Sequence, residues 1–295
     1  MKICRFDDDR LGVVMGDMVH DVTKAQDEIR AAARYDMMGD AVITALPQWR
    51  TRLEEMAAKA PGKPVSGVKL LSPVARPSKA MAAPVNYTKH IAEMAVRTDI
   101  RKPDAAAPKR PSSKIGEQGI FLKALSAIVG ASEGIPIRFP DRINEHELEL
   151  VIVIGKTGSD IPKEKALDYI AGYALGFDMT TRGSEDRSFR KSIDGYAPIG
   201  PWLVTADEFG DPGNVTATLH VNDELRQTAE TKDLIFDVPT LIEFASKFYT
   251  LHPGDVFFTG SPAGVGPVKP GDVLRARCDR IGMLEIKTRA HEIRA

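Results

Sequence analysis

The run His146-Glu147-Leu148-Glu149-Leu150-Val151-Ile152-Val153-Ile154 sets two carboxylates inside an apolar stretch. Alternate residues of a strand share a face, so Glu147 and Glu149 point one way and Leu148, Leu150, Ile152 and Ile154 the other. Val151 and Val153 continue the glutamate face, which turns apolar within one step, so the strand is expected to be covered on both sides. Two carboxylates about 7 Å apart by strand rise repel and lose hydration, at a cost on the order of several kcal/mol. A hard divalent cation offsets both effects, because carboxylate oxygens are its preferred donors. The plainer alternative is a solvent-facing acidic pair on an edge strand. Asp178 adds a third candidate, in the apolar run Gly172-Tyr173-Ala174-Leu175-Gly176-Phe177-Asp178-Met179-Thr180. Unpaired, it would be costly there, although an Asx-turn or a strand-end cap also accounts for it. Brought together from neighbouring strands, the three acids would make a three-oxygen site with open positions, as a catalytic metal requires.

Other residues suit the same chemistry. His90 and Glu93 are three apart, share a face on a helical turn and can hydrogen-bond. A carboxylate beside an imidazole fixes its tautomer and favours its charged form, which suits a general base acting on water. A surface His–Glu pair is the bland reading. Lys191 follows Arg187 and Arg190 in a positive stretch, and taken alone it reads as a solvated charge. Thr259-Gly260-Ser261-Pro262-Ala263-Gly264-Val265-Gly266 is a glycine-rich loop. It lacks the Gly-Lys-Ser/Thr of a phosphate loop; its amides and hydroxyls could take a carboxylate, or it could be a tight turn.

Elements must position these groups. The chain has 295 residues, 43% apolar and 27% charged, enough for one large domain or a large and a small one. A net charge of −1 gives no argument for nucleic acid or a membrane surface. Cys4 and Cys278, near opposite ends of the chain, read as reduced thiols, with a disulfide between them as the alternative. The apolar start of MKICRFDDDR is too short for a signal peptide, and the apolar runs are strand-length, so a cytoplasmic protein is expected. Residues 2–22 read as a hairpin pair, and Ala41–Ala58 as an amphipathic helix interrupted at Pro47. A small N-terminal domain over 1–71 is expected, then a catalytic domain over 72–295. Residues 95–118, basic and rich in Pro, Ala and Ser, read as a lid-like loop. Beyond Ile120 the pattern is mostly strand. Expected strands are Glu145–Ile154, Ala174–Thr180, Pro201–Val204, Val215–Val221, Val256–Thr259, Val273–Arg277 and Leu284–Thr288. Helices are expected at Lys163–Ile170 and Pro239–Phe248. Many short strands and few helices suggest a rolled or closed β-architecture.

At this point the landmarks resemble those of the fumarylacetoacetate hydrolase family, which includes acylpyruvases, oxaloacetate decarboxylases and 2-oxo-diene-dioate isomerases or decarboxylases. In order they are Asn86-Tyr87 with His90 and Glu93; Phe121-Leu122-Lys123 and Ser126 to Gly130; His146-Glu147-Leu148-Glu149; Gly172-Tyr173 through Asp178 and Arg182; Lys191 with Pro198 to Pro201; Pro253-Gly254-Asp255; and Thr259 to Gly266. The resemblance implies an α+β, mostly β fold: a mixed β-roll catalytic domain behind a small N-terminal α/β domain. It implies Mg²⁺, Mn²⁺ or Ca²⁺ held by Glu147, Glu149 and Asp178, and a homodimer. It places Lys191 beside the metal, has His90 and Glu93 activate a water, and has Arg182 hold Asp178 or a substrate carboxylate. Tyr87, Thr259, Gly260 and Ser261 become candidates for substrate contact. Two positions depart from the family. Glu185 stands where members often carry a substrate-contacting glutamine, and Ala124 follows Lys123 where proline is common.

The expected chemistry is cleavage of a C–C bond in a 2,4-dioxo acid to a carboxylic acid and a 2-oxo acid. The alternative is decarboxylation or isomerisation of oxaloacetate or a 2-oxo-ene-dioate. A non-catalytic binding module would have no need of His90, Glu93 and Lys191. A glycosidase is disfavoured because neighbouring acids on one strand face do not flank a sugar.

Overall fold

A computed structural model describes residues 1–34, 38–97 and 115–292. The lid-like segment expected at 95–118 falls mainly on 98–114, which lie outside the described residues.

The chain starts as expected. Lys2–Phe6 turns back on Arg10–Met15, and Met18–Asp21 continues the meander. Asp7 and Asp9 take positive φ in the turn, a conformation aspartate tolerates better than most residues. Helix Ala41–Lys59 is capped by Asp40, whose Oδ1 accepts from the amides of Val42 and Ile43 at 2.9 and 3.2 Å. Contrary to the expected interruption, this helix runs through Pro47. Proline removes one intrahelical bond there, but Ile43, Leu46, Leu53 and Ala57 are buried in one core cluster. Burial of each large aliphatic chain contributes roughly 1.5–3 kcal/mol, which offsets the missing bond.

The largest sheet runs in the order Gly62–Pro64, Met18–Asp21, Arg10–Met15, Lys2–Phe6, Ala197–Thr205, Ile170–Phe177, Leu148–Ile154, Val256–Phe258, Ala80–Ala82 and Phe121–Lys123. The N-terminal meander therefore joins the main sheet edge to edge, Lys2 opposite Val204 and Ile3 opposite Leu203. A second sheet joins Thr180–Thr181, Asn144–His146 and Gly266–Pro267. A third, of five strands, is built on Glu224–Glu230, Thr216–Val221, Val273–Cys278, Gly282–Ala290 and Ile135–Ile137. Most pairings are antiparallel, but Val256–Phe258 runs parallel to Ala80–Ala82 and Gly282–Ala290 parallel to Ile135–Ile137. The result is the mostly β, mixed roll expected from the resemblance. Cys4 and Cys278 are free and buried. Among the described residues no helix is long and apolar enough to cross a membrane.

Leu148, Leu150, Ile152 and Ile154 enter one core and Val151 and Val153 another, so the strand is covered on both faces as its alternation required. Its start differs from the expected single strand Glu145–Ile154. Asn144–His146 belongs to the three-stranded sheet and Leu148–Ile154 to the large one, with Glu147 between. The neighbouring strand breaks at the same level: Ile170–Phe177 lies in the large sheet, Thr180–Thr181 in the small one, and Asp178 at the break. The Asp178 amide donates to the Glu147 carbonyl at 2.9 Å. Two acids thus sit side by side where the ladder changes sheets.

Candidate active site

Glu149 lies one strand repeat beyond Glu147, opposite Gly176, and its side chain returns to the same face. Glu147, Glu149 and Asp178 each offer an oxygen within 4.8 Å of the others, and all three are buried. Among the described residues no arginine or lysine forms an ion pair with Glu149. Burial pushes its carboxyl well above the usual range, and the charges of Asp178 and Glu147 push it further, against a hydrogen bond from the Gly260 amide at 2.6 Å. Such a group favours an added cation. Glu147 goes the other way: burial opposes ionisation, but Lys191 and then Arg182 outweigh it and hold the carboxyl far below the usual range. The donor set therefore fits a hard divalent ion: three close carboxylate oxygens, one without a cationic partner of its own.

Lys191 ends the short helix Arg187–Lys191 and is buried, with its ammonium donating to Glu147 Oε2 at 2.8 Å and Asp178 Oδ2 at 2.7 Å. It is no solvated surface charge. Lys123, a landmark without an assigned role in the sequence, is a second buried ammonium. It donates to Asp178 Oδ1 and to the Lys191 carbonyl, tying the edge strand to the helix that carries Lys191. Burial pulls its ammonium below the usual range against Asp178, and Lys191 beside it acts in the same direction as burial.

Arg182 does not take the first of its two expected roles, holding Asp178. It holds Glu145 through Nε and reaches Glu147 at 3.3 Å, and Asp178 is instead served by the two lysines. Glu145, fully buried and also paired with Arg97 at 2.6 Å, anchors that guanidinium. Glu185 differs more. It is exposed and forms a two-pronged pair with Arg142 at 3.0 and 2.8 Å, apart from the network around the acids. Its carboxyl is held below the usual range by that hydrogen-bonded guanidinium.

His90 lies on helix Thr88–Val96 and is buried, with Nδ1 3.1 Å from Glu93 Oε2. An ionised carboxylate only accepts, so Nδ1 carries the proton and Nε2 the lone pair. Glu93 Oε1 accepts from the Gly264 amide at 2.9 Å. Burial acts to raise the Glu93 carboxyl, but the hydrogen bonds from His90 and Gly264 win and hold it below the usual range. The glycine-rich loop thereby fixes the orienting carboxylate.

That loop is itself fastened. The Thr259 hydroxyl donates to the Leu150 carbonyl at 2.9 Å, the Gly260 amide to Glu149, and Ser261 Oγ accepts from Gln227 Nε2 at 2.8 Å. What the structure shows of Thr259 and Gly260 is support of the glutamate strand, where the sequence suggested direct carboxylate binding. Gly260 has φ +105°, and a Cβ there would meet the Asn86 Cβ at 2.5 Å; Asn86 closes the loop by donating to the Thr259 carbonyl at 2.8 Å. Tyr87, next in the chain, is buried, and burial with the nearby Glu149 charge raises its hydroxyl far above the usual range.

Sequence reasoning also missed Gln227. From strand Glu224–Glu230 its Oε1 accepts from His146 Nδ1 and the Leu148 amide, both at 2.9 Å, while Nε2 donates to Ser261 Oγ and the Pro262 carbonyl. It clamps the sheet break beside Glu147 to the glycine loop. Nothing local in sequence marks it, because its partners lie 34 to 81 residues away.

Comparison with known proteins identifies the family. Residues 79–288 match the family model described as fumarylacetoacetate (FAA) hydrolase, C-terminal. The chain is 50% identical over 291 residues to a maleylpyruvate hydrolase of Aquipseudomonas alcaligenes, covering 98% of this chain and 100% of that one. It is 38% identical over 234 residues to a mitochondrial oxaloacetate tautomerase of Xenopus laevis, covering 74% and 68%. The crystal structure of a maleylpyruvate hydrolase from Sphingobium sp. SYK-6, in complex with manganese(II) and pyruvate, superposes with a TM-score of 0.81 at 37% identity, covering 99% and 100%. The chain belongs to the fumarylacetoacetate hydrolase family.

Proposed function

We propose that this chain is a divalent-metal-dependent hydrolase that cleaves the C3–C4 bond of a 2,4-dioxo acid of the maleylpyruvate or acylpyruvate kind. The observation that carries the reading is a buried triad of carboxylates with a buried ammonium on two of them and a carboxylate-oriented imidazole on the helix that precedes them in the chain. Identity of 50% to a maleylpyruvate hydrolase along nearly the whole chain supports the substrate class. Glu147, Glu149 and Asp178 are the residues that would hold Mn²⁺ or Mg²⁺, with Ca²⁺ as the third candidate; the bound ion supplies Lewis-acid polarisation of a 2-oxo carboxylate.

The chain's own residues carry the proton and charge movements. His90 takes a proton from water at Nε2 while Glu93 holds Nδ1–H in place. The hydroxide adds to the C4 carbonyl. Collapse of the adduct breaks C3–C4, its electron pair passes to C3 as the pyruvate enolate, and the C4 side leaves as a carboxylic acid. Two donors of Lys191 are held by Glu147 and Asp178, and its third faces the developing enolate, stabilising that charge. The proton on His90 then returns to C3, giving pyruvate. Tyr87, Arg182 and the loop Thr259–Gly260–Ser261 frame the substrate; Glu185 is left out because Arg142 holds it at the surface.

Decarboxylation or isomerisation is the weaker reading, since neither needs a base poised for water. Residues 1–71 act as a small N-terminal domain and 72–295 as the catalytic one, in a cytoplasmic homodimer. Manganese-loaded protein given maleylpyruvate in ¹⁸O-labelled water is expected to yield maleate and pyruvate in equal amounts, with label in the new maleate carboxylate. Release of carbon dioxide, or unlabelled maleate, refutes hydrolysis.

A further inference from the structure

Two arginines of the Lys191 helix have no part in the network described so far. Arg187 and Arg190 are three apart on Arg187–Lys191 and share a face. Among the described residues neither forms an ion pair. Arg187 donates only to the neutral Gln118 Oε1, at 2.9 Å. Its guanidinium stands 5.7 Å from the Phe121 ring centre, and the Lys191 ammonium stands 5.6 Å from the same ring, so one aromatic wall carries both cations. In Arg190, both Nε and Nη1 are shut away from water with no acceptor among the described residues. Buried donors of this kind are rare unless an acceptor is missing. The surplus of charge points the same way. Lys123, Arg182 and Lys191 already serve the site carboxylates. A divalent ion there would add two further positive charges, and Arg187 and Arg190 have no ion-pair partner among the described residues. Both arginines stand on the helix whose last residue, Lys191, grips Glu147 and Asp178, and Arg187 shares the Phe121 ring with that ammonium.

We propose that Arg190, supported by Arg187, receives the second, distal carboxylate of a substrate that carries a carboxylate at each end, and so sets a preference for diacids over simple acylpyruvates. The assignment rests on the hydrolase reading for its reaction, but not for its binding. An anion at this position supplies the acceptors that Arg190 lacks and neutralises the surplus charge. The 2-oxo acid end stays with the carboxylate triad and Lys191. A substrate with a methyl group at the far end would leave the Arg190 donors buried and unmet.

The test uses the manganese-loaded full chain and two substrates that differ only at the far end: maleylpyruvate, a diacid, and acetylpyruvate, which lacks the second carboxylate. Arg190→Met is expected to lower kcat/KM for the diacid by about 100-fold, the usual size for truncating one partner of a buried charged hydrogen bond. The loss on acetylpyruvate is expected to be several-fold smaller, so the ratio of the two collapses. Arg190→Lys keeps the charge without the planar fork and should restore roughly a tenth of the diacid preference or more. Arg187→Met should move the ratio in the same direction by less. Equal losses on both substrates in all three variants, or an intact diacid preference in Arg190→Met, overturn the assignment. A binding arm separates this from the hydrolase reading: 2-oxoheptanedioate, whose two carboxylates are as many carbons apart as those of maleylpyruvate, should bind the manganese-loaded wild type at least tenfold more tightly than pyruvate, and Arg190→Met should erase that difference. Wild-type protein that cleaves neither dioxo acid yet keeps this binding difference refutes hydrolysis and upholds the arginines; equal binding of the two acids by wild type refutes the arginines.

Discussion

Replacing Lys191 by methionine separates the two duties of this side chain. Its ammonium holds Glu147 at 2.8 Å and Asp178 at 2.7 Å, both fully enclosed. Removing one partner of a buried ion pair typically costs about 3–5 kcal/mol, because the remaining charge is left in a poor medium. Here the low end applies, since Glu147 keeps Arg182 and Asp178 keeps Lys123. At roughly 2.1 cal/mol/K per residue of unfolding entropy, a chain of 295 residues losing about 3 kcal/mol melts about 5 °C lower. That loss belongs to the metal-free protein. A divalent ion restores positive charge to the same two carboxylates, so saturating Mn²⁺ should recover most of it. The ion also no longer faces a nearby ammonium, and Mn²⁺ affinity should rise about tenfold or more, a modest share of the Coulomb repulsion between charges a few ångströms apart at an effective dielectric near 20. Turnover should fall nonetheless, because the enolate loses its donor. Thermal melts with and without Mn²⁺, together with a Mn²⁺ binding isotherm, read out all three effects. A Lys191→Met protein that melts with wild type in the absence of metal, or that binds Mn²⁺ no more tightly, contradicts the shared-carboxylate argument.

His90→Ala should lower hydrolysis by about 100- to 10,000-fold, the range for loss of a general base, while the Mn²⁺ isotherm stays near wild type, because His90 is not among the three acids; a change confined to metal binding would give the residue a different role. Gln227→Ala removes a side chain that makes four hydrogen bonds in a buried setting, and with each unmet buried group costing about 1–3 kcal/mol, the protein should lose about 3 kcal/mol of stability by denaturant melt and show a raised KM as the glycine loop loosens. Glu93 is held below the usual carboxylate range by His90 and the Gly264 amide, against burial. A depressed folded-state pKa gives stability that is present above the unfolded value and lost as pH falls through the lower, folded one. Melting temperature followed from about pH 6 to pH 3 should therefore fall less steeply in Glu93→Gln than in wild type, and identical profiles would show that this carboxylate is not stabilised as described.

Much of the site could be read from the chain because it depends on strand periodicity. The alternation through Glu147–Ile154 placed both glutamates on one face and both faces under cover, and the structure follows it. The three-residue step from His90 to Glu93 likewise foretold their contact. Failures arose where distant parts of the chain decide the outcome. The break of the ladder at Glu147 and Asp178 follows from competition between two sheets, and no local pattern records it. Pro47 looked like a helix break because the lost hydrogen bond is visible in sequence and the compensating burial of Leu46 and Leu53 is not. Glu185 is a candidate only through the family resemblance, and the fold gives it to Arg142 at the surface. Lys123 and Gln227 were missed for the same reason: an isolated lysine or glutamine reads as surface, and only the fold reveals carboxylates, amides and hydroxyls around it.

The most direct test is a metal titration of chelator-stripped protein that follows Mn²⁺ binding and maleylpyruvate cleavage in the same sample. Convergence of Glu147, Glu149 and Asp178 on one ion predicts negligible turnover at the start, activity rising in step with occupancy to a plateau at one ion per chain, and loss of both in Glu149→Gln. Full turnover by the stripped protein, or an unchanged isotherm in Glu149→Gln, would contradict it.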